Sequence, residues 1–237
     1  MDRFSVYRGR RVLVTGGTAG LGLALVRELV RRGAQVAFVA RGRDHVEQVA
    51  RDFPGTHGIV GDVARKDDIY PIALQALGEL GGLDLLINNA SALGPESLRL
   101  LADTDCEDLE RAFAVNLLGP FRLTKAVLGA LAASARERGS AAVVNISSDA
   151  AVHAYPSWGA YSASKAALRH LTSIWDAEVE ADGVRLLSID PGDMDTALHA
   201  QAVPDADRSA LKKPADAAVD VLDAIALAMP VAGGRAS

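Results

Sequence analysis

One cysteine, Cys106, stands in 237 residues, so no disulfide can form within the chain. Its neighbours Asp105, Glu107 and Asp108 disfavour a thiolate, which makes a buried or idle thiol the expectation rather than a nucleophile. A cytoplasmic location follows from that cysteine usage. The five histidines are scattered with no HExxH or paired-ligand spacing, so no metal site is expected. No apolar run approaches the ~18 residues that a membrane helix needs. The first residues, MDRFSVYRGRRVLVTGG, lack the apolar core of a signal peptide. Basic charge is in deficit: 25 Lys and Arg against 30 Asp and Glu leave a net charge of −5. That balance argues against nucleic acid or an anionic membrane as a partner. Linkers and low-complexity stretches are missing as well. What is present, 49% hydrophobic and 23% charged residues, fits a single globular domain over residues 1–237 with a substantial core.

Short apolar runs alternate with amphipathic stretches along the whole chain. Strands are expected at Arg11–Thr15, Gln35–Ala40, His57–Gly61, Leu83–Asn88, Ala142–Ser147 and Val184–Asp190. Several are continuously apolar, as strands covered on both faces should be. Helices are expected at Leu21–Arg32, Asp44–Phe53, Lys66–Gly78, Asp105–Arg138, Trp158–Asp182 and Pro214–Met229. Strict alternation of the two predicts an α/β fold: a doubly wound, mostly parallel Rossmann-type sheet with helices on both faces. Six units are too few for a closed eight-unit barrel.

The first strand runs into TGGTAGLG, residues 15–22, and then a helix. Glycines at 16, 20 and 22 let backbone approach a pyrophosphate, which would face the free N–H groups of the helix N-terminus. The second strand ends at Ala40, twenty-four residues past Gly16, and Arg41, Gly42 and Arg43 follow. An NAD site would place an acidic side chain here for the ribose 2′-OH, whereas Arg41 can pair with a 2′-phosphate through its planar fork. NADP(H) is therefore the expected cofactor, with NAD(H) as the alternative and Arg43 as a weaker second contact. Asp62, beside Val63, could accept from an adenine amino group or cap the next helix. Asn88 and Asn89 close the fourth strand, where they can hold neighbouring loops open.

Asn116 lies inside a predicted helix, four residues before Pro120. Proline has no N–H to give to the Asn116 carbonyl, so that carbonyl is left free and the helix should bend near Gly119. Farther on, Tyr161 and Lys165 sit four apart on one helix face, with Ser148 thirteen residues before the tyrosine at a strand end. A phenol, an ammonium and a hydroxyl brought together can move a proton to or from a carbonyl oxygen.

With these residues in view the chain resembles the short-chain dehydrogenase/reductase family, in its single-domain branch. TGGTAGLG is similar to the branch's TGxxxGxG, NNAS (residues 88–91) to its NNAG, and SDAAVHAYPSWGAYSASK (148–165) to its serine followed by YxxxK. PGDMDT (191–196) is similar to the segment after the sixth strand. The resemblance implies a catalytic tetrad of Asn116, Ser148, Tyr161 and Lys165. It implies cofactor contacts from Gly16, Thr18, Gly20, Leu21, Gly22, Arg41, Asp62, Val63, Asn89, Tyr161, Lys165, Pro191, Gly192 and Thr196. Tyr161 would act as general acid and base, with its pKa drawn down from ~10 by Lys165. Ser148 would donate to the substrate oxygen, and the Asn116 carbonyl would hold a water that resupplies protons through Lys165. The activity implied is an NADP(H)-dependent carbonyl reductase or alcohol dehydrogenase acting on a small carbonyl or alcohol. An NAD-dependent enzyme of the same family is the alternative within the class; a dinucleotide-binding sensor or scaffold without turnover is the alternative outside it.

Two departures stand out. Ser91 occupies the last position of NNAG, and the chain ends PVAGGRAS with no clear seventh strand, Val231 and Ala232 offering only a stub. Family tetramers use that strand at one interface, so a homodimer through the two long helices bearing Asn116 and Tyr161 is expected in place of a tetramer. The substrate pocket should be lined by Ser148, His153, Tyr155, Trp158 and Met194, with the segment after Thr196 as a mobile lid. Substrate identity is not specified.

Overall fold

A computed structural model describes residues 5–229. Six strands form one parallel sheet in the order β3-β2-β1-β4-β5-β6. They are β1 Arg11–Thr15, β2 Gln35–Ala40, β3 His57–Val60, β4 Leu85–Asn88, β5 Ala141–Ile146 and β6 Val184–Ile189. The helices are α1 Gly20–Arg31, α2 Arg43–Asp52, α3 Lys66–Leu80, α4 Cys106–Phe113, α5 Gly119–Arg138, α6 Gly159–Val179, α7 Ala197–Ala202 and α8 Pro214–Ala228. The expected Rossmann-type architecture is what the chain adopts.

The alternation of strand side chains builds two cores, one on each face of the sheet. Val12 and Val14 face α1 and α8, where Leu25, Leu29, Val221 and Leu222 pack against them together with Phe38 and Val144. Leu13 points the other way, among Val39, Leu86 and Val143, and meets α3 and α5 through Ile72, Leu123 and Val127. All five residues of β1 and all six of β5 are buried, which explains why the centres of both strands are apolar without alternation.

At the N-terminal rim of the sheet, Asp84 takes hydrogen bonds from the Arg11 backbone N–H at 2.7 Å and from Arg11 Nη2 at 2.8 Å, and another from Ser134. This replaces the strand that was expected to begin at Leu83: Asp84 spends its side chain on Arg11, and β4 begins at Leu85. Tyr7 donates to the Leu222 carbonyl and so fixes α8 against the entry to β1.

The single helix expected over Asp105–Arg138 is broken. Ala114–Leu118 forms a π-turn in which the Gly119 N–H reaches back five residues to the Ala114 carbonyl. Pro120 cannot complete an α-helical bond to Asn116, and the chain absorbs this with a wider turn rather than a simple bend. Cys106 is exposed rather than buried. Val231 and Ala232 lie outside the described residues.

Candidate active site

Strand order reverses at β1, whose neighbours are β2 on one side and β4 on the other. The two chain segments leaving the carboxyl ends of β1 and β4 therefore diverge, and a crevice opens between them. Here it is a cavity of about 840 Å³. The first turn forms its floor. Gly16 has φ +70°, and a Cβ there would come within 3.0 Å of Asn89 Nδ2. Only glycine meets both demands. Helix α1 starts from Ala19 with no side-chain cap, so the N–H groups of Gly20, Leu21 and Gly22 have neither an intrahelical nor a capping partner and border the cavity. An uncapped helix start on a glycine floor fits a dinucleotide pyrophosphate.

Thr15 and Asn89 lock the two strand ends together. Thr15 Oγ1 accepts from the N–H groups of Asn89 (2.9 Å) and Ala90 (3.0 Å), and Asn89 Nδ2 donates to the Thr15 carbonyl at 2.8 Å. Thr15 escaped sequence reasoning because its role exists only once β1 and β4 are neighbours. Arg41 lines the far end of the cavity, exposed and without an ion pair among the described residues; His45 lies beside it. Arg43 opens α2 and does not line the cavity. Asp62 borders the cavity while its Oδ1 accepts from the Ala64 N–H at 3.0 Å, so it turns the chain and faces the crevice at once. Val63, Thr18, Pro191, Gly192, Met194 and Thr196 also line the wall.

The other end holds Ser148, Trp158, Tyr161 and Lys165. Lys165 is buried on α6, one turn beyond Tyr161. Its ammonium donates to the Ile146 carbonyl at 2.7 Å and lies 5.6 Å from the centre of the Tyr161 ring. Burial lowers its pKa to about 8, with the nearby Asp190 carboxylate opposing the fall. Burial also pushes the Tyr161 phenol up to about 12, against hydrogen bonding from Ser148 and Ser91. The expected depression of the phenol by Lys165 is not a property of the protein alone: burial of the phenol dominates and moves it the other way. Ser148 Oγ accepts from the Ala150 N–H at 3.2 Å and donates to Asp149 Oδ1 at 3.0 Å. Tyr155 donates to the other carboxylate oxygen of Asp149 at 2.7 Å.

Asn116 is fully buried beneath this group and does not itself line the cavity. Its Oδ1 accepts from the Ala92 N–H at 2.9 Å and from Ser91 Oγ at 3.2 Å. Its Nδ2 donates to the Ala92 carbonyl at 2.8 Å and to Ser164 Oγ at 2.9 Å. Of the five residues expected around the substrate, the structure brings Ser148, Trp158 and Met194 to the cavity and leaves His153 and Tyr155 outside it, both exposed. The loop carrying those two turns outward after Asp149, and only the Tyr155 hydroxyl reaches back. Leu93, Leu98, Trp158 and Leu198 close around Tyr161 instead. The segment after Thr196 packs as α7 over the mouth, held by Gln201 donating to the Glu96 carbonyl at 2.8 Å and by the Arg208–Asp195 ion pair at 2.6 Å.

A switch-point crevice with a glycine floor and a tyrosine–lysine–serine wall defines a nucleotide-dependent oxidoreductase architecture. The short chain dehydrogenase family matches residues 10–207. The chain belongs to this family, the short-chain dehydrogenases/reductases. It is 36% identical over 189 residues to an uncharacterized oxidoreductase of Mycobacterium bovis, covering 77% of this chain and 54% of that protein. The chain thus spans about half the length of that relative. It is 33% identical to the L-fucose dehydrogenase of Bos taurus over 192 residues, 81% of this chain and 68% of that one. Among solved structures, the alcohol dehydrogenase of the archaeon Thermococcus sibiricus complexed with 5-hydroxy-NADP superimposes with a TM-score of 0.82 at 25% identity, covering 94% of this chain and 92% of that one. No described helix is long and apolar enough to cross a membrane, and no group of metal-ligating side chains occurs among the described residues.

Proposed function

We propose that the protein is an NADP(H)-dependent oxidoreductase acting on a carbonyl or alcohol, with Tyr161 as general acid and base. One observation carries this reading: a buried phenol flanked by two hydroxyls and an ammonium on the wall of a glycine-floored crevice. A nicotinamide coenzyme would supply or accept the hydride. The N–H groups after Ala19 would hold its pyrophosphate, Asp62 and Val63 its adenine, and Pro191, Gly192 and Thr196 the opposite edge. Arg41, free of carboxylate partners, supports the 2′-phosphate and hence NADP(H) over NAD(H).

The chain's own residues then divide the chemistry. Tyr161 gives its proton to the carbonyl oxygen during reduction and takes it back during oxidation. Ser148 exchanges its charge-assisted bond to Asp149 for one to the negative charge developing on that oxygen, which offsets the loss. Lys165, charged at neutral pH even with its pKa near 8, holds positive potential beside the phenol. Asn116 sets the backbone of Ser91–Ala92, which forms the cavity wall. Sugars and alcohols are the first substrates to try, since one relative is an L-fucose dehydrogenase and one structural neighbour an alcohol dehydrogenase.

The whole chain works as one dinucleotide-binding and catalytic domain. It pairs as a homodimer through α5 and α6, whose outer faces carry Phe121 and Ile174 exposed, with the Phe121 ring tilted against Trp175 at 5.4 Å between centres. A lone exposed thiol suits the reducing cytoplasm.

NADPH consumption against a panel of ketones, aldehydes and sugars, run beside NADH, tests the reading. Tyr161→Phe should bind NADPH unchanged and lose turnover by at least ~100-fold. Full activity in that variant would remove the proton-donor assignment. A protein that binds NADPH yet turns over nothing in either direction would leave the sensor reading.

A further inference from the structure

The Tyr161 phenol has two hydroxyl neighbours, and they are not equally free to serve it. Ser148 has a single proton, and that proton is directed at the Asp149 carboxylate, 3.0 Å away. A hydrogen bond to a charged acceptor is among the stronger ones and is costly to surrender. The Ser91 proton goes instead to Asn116 Oδ1, a neutral amide oxygen, at the longer distance of 3.2 Å. That oxygen already has a better donor, the Ala92 N–H at 2.9 Å. Ser91 can therefore rotate away without leaving a buried acceptor unsatisfied. It also stands on the cavity wall, and it faces the phenol from the end of β4 while Ser148 faces it from the end of β5.

From this asymmetry we infer that Ser91 is a further active-site hydroxyl, one that swings from Asn116 to the Tyr161 oxygen when the phenol loses its proton. Glycine, the residue at this place in the motif that NNAS resembles, has no group to do this. The step is a rotation and a proton transfer only: the Tyr161 proton passes to the alkoxide or carbonyl oxygen of the substrate, and Ser91 keeps its own proton while donating it as a hydrogen bond to the phenolate.

Other groups around the phenol are accounted for. Lys165 shares its helix, and Asp149 after β5 and Asp190 after β6 both oppose ionisation. The Trp158 ring meets the tyrosine edge-on at 5.8 Å. None of these replaces a hydroxyl donor from the β4 side.

The inference rests on Tyr161 being the proton donor, but its test does not require turnover. Protein labelled with ¹³C at the tyrosine ζ carbon is titrated by NMR, free and with NADP⁺, with Tyr161→Phe identifying the signal. Ser91→Ala should raise the Tyr161 midpoint by about one pH unit in both forms, and Ser91→Thr, which keeps the hydroxyl, should return it towards the native value. Thermal unfolding of each variant separates this from loss of fold: a serine that merely braces Asn116 would lower the melting temperature and leave the midpoint in place. An unchanged midpoint in Ser91→Ala overturns the inference. If NADP⁺ fails to bind at all, the proposed function fails, while the free-protein titration still decides the part played by Ser91.

Discussion

Lys165 donates to the carbonyl of Ile146 at 2.7 Å, and this one bond joins the carboxyl end of β5 to the first turns of α6. An ammonium so placed is buried, with one carbonyl and the nearby Asp190 carboxylate to offset its desolvation. Its burial is a cost borne by the fold on behalf of the site.

Replacing Lys165 with Met should separate those two interests. Burial lowers the lysine pKa from 10.5 to about 8, so folding disfavours the charged form. The penalty is present in full below pH 8 and fades as pH rises through 10.5, where the unfolded chain also loses its proton. Lys165→Met should therefore match or exceed the native stability at pH 7, by up to about 2 kcal/mol after the orphaned carbonyl is counted. Urea unfolding should show the difference shrinking between pH 8 and pH 10.5, while turnover is lost.

Among the described residues Arg41 meets no carboxylate at the crevice's far end. Removing a charge-assisted contact to a phosphate costs on the order of 1.5–3 kcal/mol. Arg41→Ala should weaken NADPH binding by about 10- to 100-fold and leave NADH almost unaffected. Calorimetric titration with both coenzymes reads this directly; equal losses for the two would refute the 2′-phosphate contact.

At the opposite rim, Asp84 is held by Arg11 and Ser134 in a wholly buried position. Burial alone would raise its pKa, yet the hydrogen bonds from Arg11 and Ser134 hold it below the usual carboxylate range. A depressed carboxylate contributes stability above its unfolded pKa and loses it as pH falls through the folded value. Asp84→Asn should cost roughly 3 kcal/mol at pH 7, flatten the acid limb of the stability curve, and leave NADPH affinity intact in the cold.

Phe121 and Ile174 give the outer faces of α5 and α6 an apolar surface. Phe121→Glu should convert a dimer to monomer in sedimentation equilibrium, because a carboxylate buried without a partner cannot be accommodated at such a centre. A tetramer in the native protein, or a dimer that survives the change, would show that the chain assembles by another surface.

Much of the molecule was readable before any coordinates. The parallel, doubly wound sheet follows from apolar strands alternating with helices, and the ends of β1 and β2 coincide with those expected from the pattern. Pro120 announced an irregularity near Asn116, yet a missing N–H does not say whether the helix bends, breaks or widens. The loop after Ser148 misled for a different reason. His153, Tyr155 and Trp158 are equally aromatic and equally near in sequence, and only the backbone's outward course after Asp149 separates the one that reaches the cavity. Ser91 was visible as a departure from its motif, but its partners come from the π-turn before α5 and from α6, and no local pattern records them.

The π-turn at Ala114–Leu118 packs one residue more into its loop than a regular α-helix would. Excising Leu117 would let the ladder close into ordinary α form, keeping the downstream stripe of Leu123, Val127 and Leu131 pointed at the sheet. The amide of Asn116, however, would lose the swollen loop that carries it under the cavity wall, and with it the clasp on Ser91 and Ala92. The surplus residue both absorbs the missing N–H of Pro120 and carries Asn116 to the site.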